Sequence, residues 1–514
     1  MITKTGFAPR SFTPTPSSYL IMFSPLRRFA LSVPLSLLLW SSAPLATAAE
    51  SAPPTAGPVI KHPRLGVCTH LRRWKNEAII PLLANSGVTY IRDDYYWKAI
   101  ETKKGVYALP EDYRRWLDAA HAAGLKVIAI FDQENSLYAP DIYSVEAYVK
   151  AVTWFAKETA GKVQVIEILN EPFGNFGFRK HYGGTWNGVE SDGSPSPWLG
   201  KYVELLNAAA PAIKAVNPDV KVIGLGSPPP ANFRQLAMGL VPEVDGITDH
   251  PYSFRTVPEI LPYASTEGIL KRDGIATADE RGSFASVIRN YRTLSEKHQG
   301  PKELWLTEWG WATFHEAKAG GFYAGFTESA QAKYILRRLF ESEGLGVDVS
   351  VVYDFRDDGR DPYEPEHNFG LVTVDLKPKP AYGAVQRFAA LMADYRPKKN
   401  FEVTVFTVEN RPDTHPIVWD GSKLAAPGTV LTYQFANSQG APLIALWSAE
   451  RADGDITSRV ADVEVEMKDP SFKEIRCHNV FTDTTATVPF ERKGGRIMIK
   501  KMIIPDTPLT LTFH

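Results

Sequence analysis

Eight short apolar runs, separated by stretches of helical spacing, fill the chain up to residue 355 and leave few folds open to it. The runs are 65–69, 88–92, 126–131, 163–169, 220–225, 245–250, 303–308 and 347–355. Between them, 111–123, 144–159, 198–216, 283–298 and 328–343 carry apolar residues at the 3.6-residue period of amphipathic helices. Gly87, Gly124, Gly161 and Gly346 stand where helices turn into strands. The runs are continuous rather than alternating, so the strands are expected to be buried on both faces, as in a parallel sheet covered by helices. Eight such units fit a closed barrel better than an open doubly wound sheet. The open sheet would want a glycine-rich phosphate loop after an early strand, and the chain there reads Thr69-His70-Leu71-Arg72. The expected fold class is α/β, a (β/α)8 TIM barrel over residues 62–395.

The texture changes after Tyr395. Residues 396–514 hold short β-rich runs at 402–408, 429–435, 442–448, 461–467 and 508–513, with no long helical pattern, which predicts a C-terminal all-β sandwich. At the other end, Arg27 and Arg28 precede an apolar stretch from Phe29 to Trp40, followed by Ala46-Thr47-Ala48. That is the layout of a secretory leader over residues 1–49, with Met22 a more typical start than Met1. The stretch would reach only about 18 Å as a helix, short of the ~30 Å hydrocarbon core. A secreted or periplasmic protein is expected, with no span in the mature chain and a linker over 50–61.

Lys and Arg number 57 against 58 Asp and Glu, a formal charge of −1 that offers no basic surface for nucleic acid or anionic lipid. The two cysteines, Cys68 and Cys477, make no disulfide framework and read as structural. The acidic loop 357–361 lacks the ligand order of a calcium-binding hand, and no metal or cofactor is expected. A monomer is expected.

Chemistry on a parallel barrel sits at the C-terminal ends of the strands. Two of those ends carry a glutamate: Ile168-Leu169-Asn170-Glu171-Pro172 after the fourth run and Leu306-Thr307-Glu308-Trp309-Gly310 after the seventh. Carboxylates at the end of a buried run need a purpose or a partner. Two of them across a barrel mouth suit glycosidic hydrolysis, one protonated to release the sugar oxygen and one ionised to attack or to activate water. A gap of ~5 Å means retention of configuration; ~6.5–9.5 Å means inversion. Glu167, inside the fourth run, is expected to pair with a neighbouring strand. Asp93, Asp94 and Trp97 follow the second run and are weaker sugar-contact candidates. The insertion from Phe173 to Trp198, with Phe176, Tyr182 and Trp186, is expected to form one wall of a substrate groove.

On Asn170-Glu171-Pro172 and Thr307-Glu308-Trp309-Gly310, with Arg92, His250-Pro251-Tyr252, Asn368-Phe369-Gly370-Leu371 and Lys379-Pro380-Ala381-Tyr382 in support, the chain resembles glycoside hydrolase clan A. The resemblance is to family 39, family 5 and bacterial exopolysaccharide glycosidases, over residues 62–395. It implies retaining cleavage of β-glycosidic bonds in a polysaccharide or oligosaccharide, with Glu171 the general acid/base and Glu308 the nucleophile. Asn170 would hydrogen-bond the sugar 2-hydroxyl, Tyr252 would position Glu308, His250 would line the same subsite, and Arg92 would keep Glu308 ionised. Relatives often stack a Trp from the end of strand eight on the sugar; here Tyr353 stands in that region, and Trp186 and Trp309 are further candidates. The same pair would serve a transglycosylase, and an inactive glycan-binding or polysaccharide-assembly protein is the non-enzymatic alternative.

Overall fold

The computed structural model describes residues 59–514 apart from 176, 317–320, 400, 407–408, 453–454 and 468–470. The leader, Met22, most of the linker and Phe176 lie outside the described residues.

Eight strands form a closed parallel barrel in sequence order: β1 (His62–Cys68), β2 (Val88–Tyr96), β3 (Lys126–Asp132), β4 (Val165–Ile168), β5 (Lys221–Leu225), β6 (Gly246–Asp249), β7 (Glu303–Leu306) and β8 (Val349–Val352). Pairing of β1 with β8 closes the ring. Helices Glu111–Ala122, Val145–Glu158, Pro197–Val216, Phe284–Gln299 and Glu328–Gly344 fall where the 3.6-residue pattern predicts them.

Strand parity stacks the barrel interior in layers. Cys68, Tyr90, Ile128, Val165, Ile223, Trp305, Val349 and Val351 fill an apolar layer. Two residues beyond Tyr90, Val165 and Trp305 stand Arg92, Glu167 and, just past β7, Thr307, all buried. A charged layer therefore rests on an apolar floor, and the floor keeps water from beneath it.

Among the described residues the C-terminal part holds two larger antiparallel sheets and a two-stranded one, Ile417–Trp419 with Ser422–Leu424. A four-stranded sheet runs Glu402–Phe406, Ser458–Glu466, Arg496–Pro505, Glu491–Lys493. A six-stranded sheet runs Thr484–Thr487, Ile475–Asn479, Leu509–Phe513, Pro442–Ser448, Val430–Ala436, Arg396–Pro397. Ile444, Leu446 and Leu511 of the second sheet meet Val463, Val465, Ile497 and Ile499 of the first in one core. Ala445 and Trp447, on the opposite face of Pro442–Ser448, belong instead to the core shared with the barrel. Burial on both faces explains why that segment reads as an unbroken apolar run.

Against that outer face lies helix Glu328–Gly344, buried from Ala330 to Glu343 although it carries five charged side chains there. Three of them, Lys333, Arg337 and Glu341, are paired across the junction. Arg337 donates to Glu259 Oε1 and Oε2 at 2.8 and 2.5 Å and to the Glu450 carbonyl at 2.7 Å. Trp447 Nε1 donates to the same Glu259 Oε1 at 2.8 Å. Lys333 reaches Asp506 at 3.1 Å, and the Tyr433 hydroxyl donates to Glu341 at 3.0 Å. Both cysteine thiols are free, Cys68 buried and Cys477 half-buried. Among the described residues no helix is long and apolar enough to cross a membrane.

Candidate active site

The strands deliver the two glutamates just past their ends: β4 stops at Ile168 and β7 at Leu306, so Glu171 and Glu308 sit on the first turns beyond them. Leu169 and Glu171 hold left-handed backbones, with φ of 61° and 42°, as do Gln133 after β3 and Leu225 at the end of β5. For residues with a Cβ this costs about 1–2 kcal/mol each, and its concentration on one rim marks the working face of the barrel.

Arg92, 2% exposed, is the hub. Its guanidinium donates from Nε to Glu167 Oε2 at 2.6 Å, from Nη1 to Glu308 Oε1 at 2.6 Å and from Nη2 to Asn170 Oδ1 at 2.8 Å. Glu167, expected to pair with a neighbouring strand, finds its partner instead on β2, on the far side of β3. One cation serves two carboxylates, so the trio keeps a net negative charge. Tyr252 donates its hydroxyl to Glu308 Oε2 at 3.1 Å, giving both Glu308 oxygens a donor. Burial alone would raise the Glu308 carboxyl, but His250, Arg92 and Tyr252 outweigh it and hold it below the ordinary glutamate range.

The proton count at Glu171 follows from the hydrogen-bond chain. Thr307 Oγ1 donates to Glu167 Oε1 at 3.0 Å, which uses its only hydrogen. His250 Nε2, 3.1 Å from Thr307 Oγ1, must then be the donor of that contact. His250 Nδ1 faces Glu171 Oε1 at 2.9 Å, so this contact holds one proton: on Nδ1 with Glu171 ionised, or on Glu171 with the imidazole neutral. Burial pulls the imidazole down, yet Glu308 and Glu171 carry it above its usual value. One oxygen of Glu171 and one of Glu308 lie within 4.8 Å of each other.

A cavity of about 210 Å³ opens over this cluster. Arg92, Asn170, Glu171, Tyr252, Glu308 and Tyr353 all line it, as does Asp94. His250 stands behind Glu171 with a side chain only 4% exposed. A second cavity, about 260 Å³, shares Asn170 and Glu171 with the first and is walled by Lys98, Gln133, Glu134, Tyr143, Gly177 and Phe178. The last two come from the insertion after Glu171. Glu171 therefore stands between two spaces.

Two aromatic candidates are misplaced by the sequence reading. Trp309 is fully buried, its indole donating to Ser350 Oγ at 3.0 Å, because it follows Glu308 and points the other way, into the layer under the helices. Trp186 lines neither cavity; its ring packs against the Arg272 guanidinium at 5.1 Å. Trp97 is also core, donating to Glu101 at 2.6 Å, and Asp93 is turned to the Thr69 hydroxyl and the Leu71 amide. In their place stand His70, one residue past the first run, and Tyr323 and Glu366 from loops away from any run. Glu366 accepts from the Tyr353 hydroxyl at 3.2 Å, and burial beside Glu308 pushes it up to about 7.

Three aspartates around the mouth also titrate late. Burial pushes Asp93, Asp132 and Asp249 up to about 7, with Asp94 adding to the first two. At these groups the folded chain binds more protons than the unfolded one between pH ~4 and ~7, so their contribution to stability falls as pH rises through that window. The melting midpoint is expected to be several degrees higher at pH 5.5 than at pH 8; calorimetry showing a flat or rising midpoint would contradict this arrangement.

No protein-family profile and no curated sequence matches the chain. Solved structures do. A family 39 glycoside hydrolase from the gut symbiont Bacteroides cellulosilyticus WH2 superposes with a TM-score of 0.62 at 21% identity, over 88% of this chain and 81% of that one. The GH51 arabinofuranosidase of Xanthomonas axonopodis pv. citri gives 0.51 at 12% identity, over 85% and 89%. The chain is similar in fold to these glycoside hydrolases along most of their length and its own.

Proposed function

We propose that this chain is an exported glycoside hydrolase that cleaves β-glycosidic bonds of a polysaccharide or oligosaccharide with retention of configuration. The observation that carries the reading is the pair itself: one carboxylate oxygen of Glu171 and one of Glu308 lie within 4.8 Å of each other, which favours the short gap of double displacement over the wider one of inversion. Their surroundings divide the labour. Glu308, held ionised by Arg92 and oriented by Tyr252, attacks the anomeric carbon and forms a glycosyl ester. Glu171 gives its proton to the departing oxygen, and His250, its proton-sharing neighbour, lets it return to the anionic form. Glu171 then takes a proton from the water that opens the ester. Asn170, fixed by Arg92, is placed to meet a sugar hydroxyl that tightens in the transition state. The cavity over Glu308 suits the sugar that becomes esterified, and the cavity beyond Glu171 suits the leaving group.

A panel of 2-deoxy-2-fluoro glycosides with activated leaving groups tests this. One sugar is expected to trap on each chain, with mass spectrometry placing it on the peptide that contains Glu308. Turnover without trapping, and with the inverted anomer as first product, would sink the retaining mechanism.

A further inference from the structure

Where β1 and β8 close the barrel, the chain just beyond each strand brings three further groups together. His70 follows β1; Asp354 and Asp358 follow β8. Each offers one ligand atom, and the three atoms lie within 4.8 Å of one another. His70 Nδ1 is 3.0 Å from Asp358 Oδ2 and 3.9 Å from Asp354 Oδ2. Ligands about 2.1 Å from one ion stand roughly 3.0–3.5 Å apart at octahedral or tetrahedral angles, a spacing that small rotations of these side chains reach.

A second observation sets the cluster apart from an ordinary ion pair. The Asp354 side chain is fully buried, and neither of its oxygens has a hydrogen-bond partner among the described residues. A buried carboxylate left in that state is costly unless a proton or a cation joins it. Asp358, 1% exposed, has Oδ1 held by the Trp74 indole at 2.6 Å, and His70 Nδ1 stands 3.1 Å from that oxygen and 3.0 Å from Oδ2. A donor that orients a carboxylate from behind is the usual outer support of a metal ligand. Arg73 also reaches Asp358 Oδ2, at 2.7 Å, but its side chain is 59% exposed and can turn into solvent.

We propose that His70, Asp354 and Asp358 bind a divalent transition-metal ion of the zinc class. One imidazole and two carboxylates suit Zn²⁺ better than Ca²⁺ or Mg²⁺, which prefer all-oxygen shells. The role of the ion is structural: it clips together two segments 288 residues apart at the seam of the barrel, and it braces Tyr353, whose ring lies 5.9 Å from that of His70.

The test is a calorimetric titration of the full chain, stripped with chelator, with Zn²⁺, Ca²⁺ and Mg²⁺, together with melting in each. One Zn²⁺ per chain is expected, bound at least about 100-fold more tightly than Ca²⁺ or Mg²⁺, with a raised melting midpoint. Asp354→Asn and, separately, His70→Gln are each expected to weaken Zn²⁺ binding at least tenfold. Glu171→Gln is expected to keep it, which separates this site from the Glu171–His250–Glu308 cluster. Unchanged Zn²⁺ affinity in either folded variant, loss of the site in Glu171→Gln, or a wild-type melt indifferent to Zn²⁺ would overturn the proposal. If Asp354→Asn does not fold, His70→Gln decides.

Discussion

Glu308→Gln is expected to lower kcat by a factor on the order of 10⁴–10⁶, the scale seen when a nucleophile is removed from a working unit, with little change in stability. The amide keeps an oxygen for Arg92, and the Tyr252 hydroxyl oxygen can accept from its nitrogen, so the two contacts to Glu308 survive. What disappears, in the proposed mechanism, is the charge that attacks the anomeric carbon. The loss should be as large for an activated aryl glycoside as for a natural substrate, since no leaving group can replace the nucleophile. Glu171→Ala is expected to behave differently. Substrates with poor leaving groups should lose about 10²–10⁴-fold, whereas activated ones still form the ester and stall at its hydrolysis. Added azide should then restore turnover and yield a glycosyl azide of retained configuration. Steady-state rates on paired aryl and natural substrates check both. Substantial activity in Glu308→Gln, or equal losses on both substrate types in Glu171→Ala, would defeat the assigned roles.

Arg92→Met is expected to be the most damaging single change to the architecture of the site. It leaves Glu167 and Glu308 facing each other in a buried layer without their shared cation, and breaking a buried pair by removing one partner costs about 3–5 kcal/mol. The surviving Glu308 should also titrate higher, since burial pushes it up and one of the two cations restraining it is gone. The acid limb of kcat/KM should therefore move to higher pH. Arg92→Lys should rescue little, because an ammonium cannot donate in three fixed directions to Glu167, Glu308 and Asn170. Adding Glu167→Gln to Arg92→Met should recover part of the stability by removing one orphaned charge. Urea unfolding of the three variants gives the energies, and pH–rate profiles give the shift. A single Arg92→Met variant that unfolds at the wild-type urea concentration would mean that the hub does not carry the layer.

Much of this was legible because barrel strands are buried on both faces. Continuous runs such as 126–131 and 220–225 stand out, and a glutamate at the end of one is conspicuous. Glu167 was readable for the same reason, as a charge inside an apolar run, whereas Arg92 came from the family resemblance. Parity defeated the reading of Trp309: one residue along from Glu308, it faces the opposite layer, and composition cannot report which side of a turn a residue takes. His70, Tyr323 and Glu366 reach the cavity from loops whose paths depend on tertiary packing. Strands Ile475–Asn479 and Arg496–Pro505 escaped notice because polar and charged residues break up their apolar content. Helix Glu328–Gly344 has the opposite lesson. Its period is that of a surface helix with a wet face, yet Lys333, Arg337, Arg338, Glu341 and Glu343 are all buried there, because distant sheets cover it.

That cover has a consequence for how the chain can change over time. The partners of Arg337 and Lys333 are split between the barrel side and residues beyond 440, so neither part carries a self-sufficient set of charges. A barrel cut free near residue 395 would face water with a row of buried-type side chains, and would be expected to aggregate or unravel instead of working alone. The two parts are then a single inheritance: a relative's β-sheets could replace these only if the residues opposite Arg337, Lys333 and Glu341 came with them.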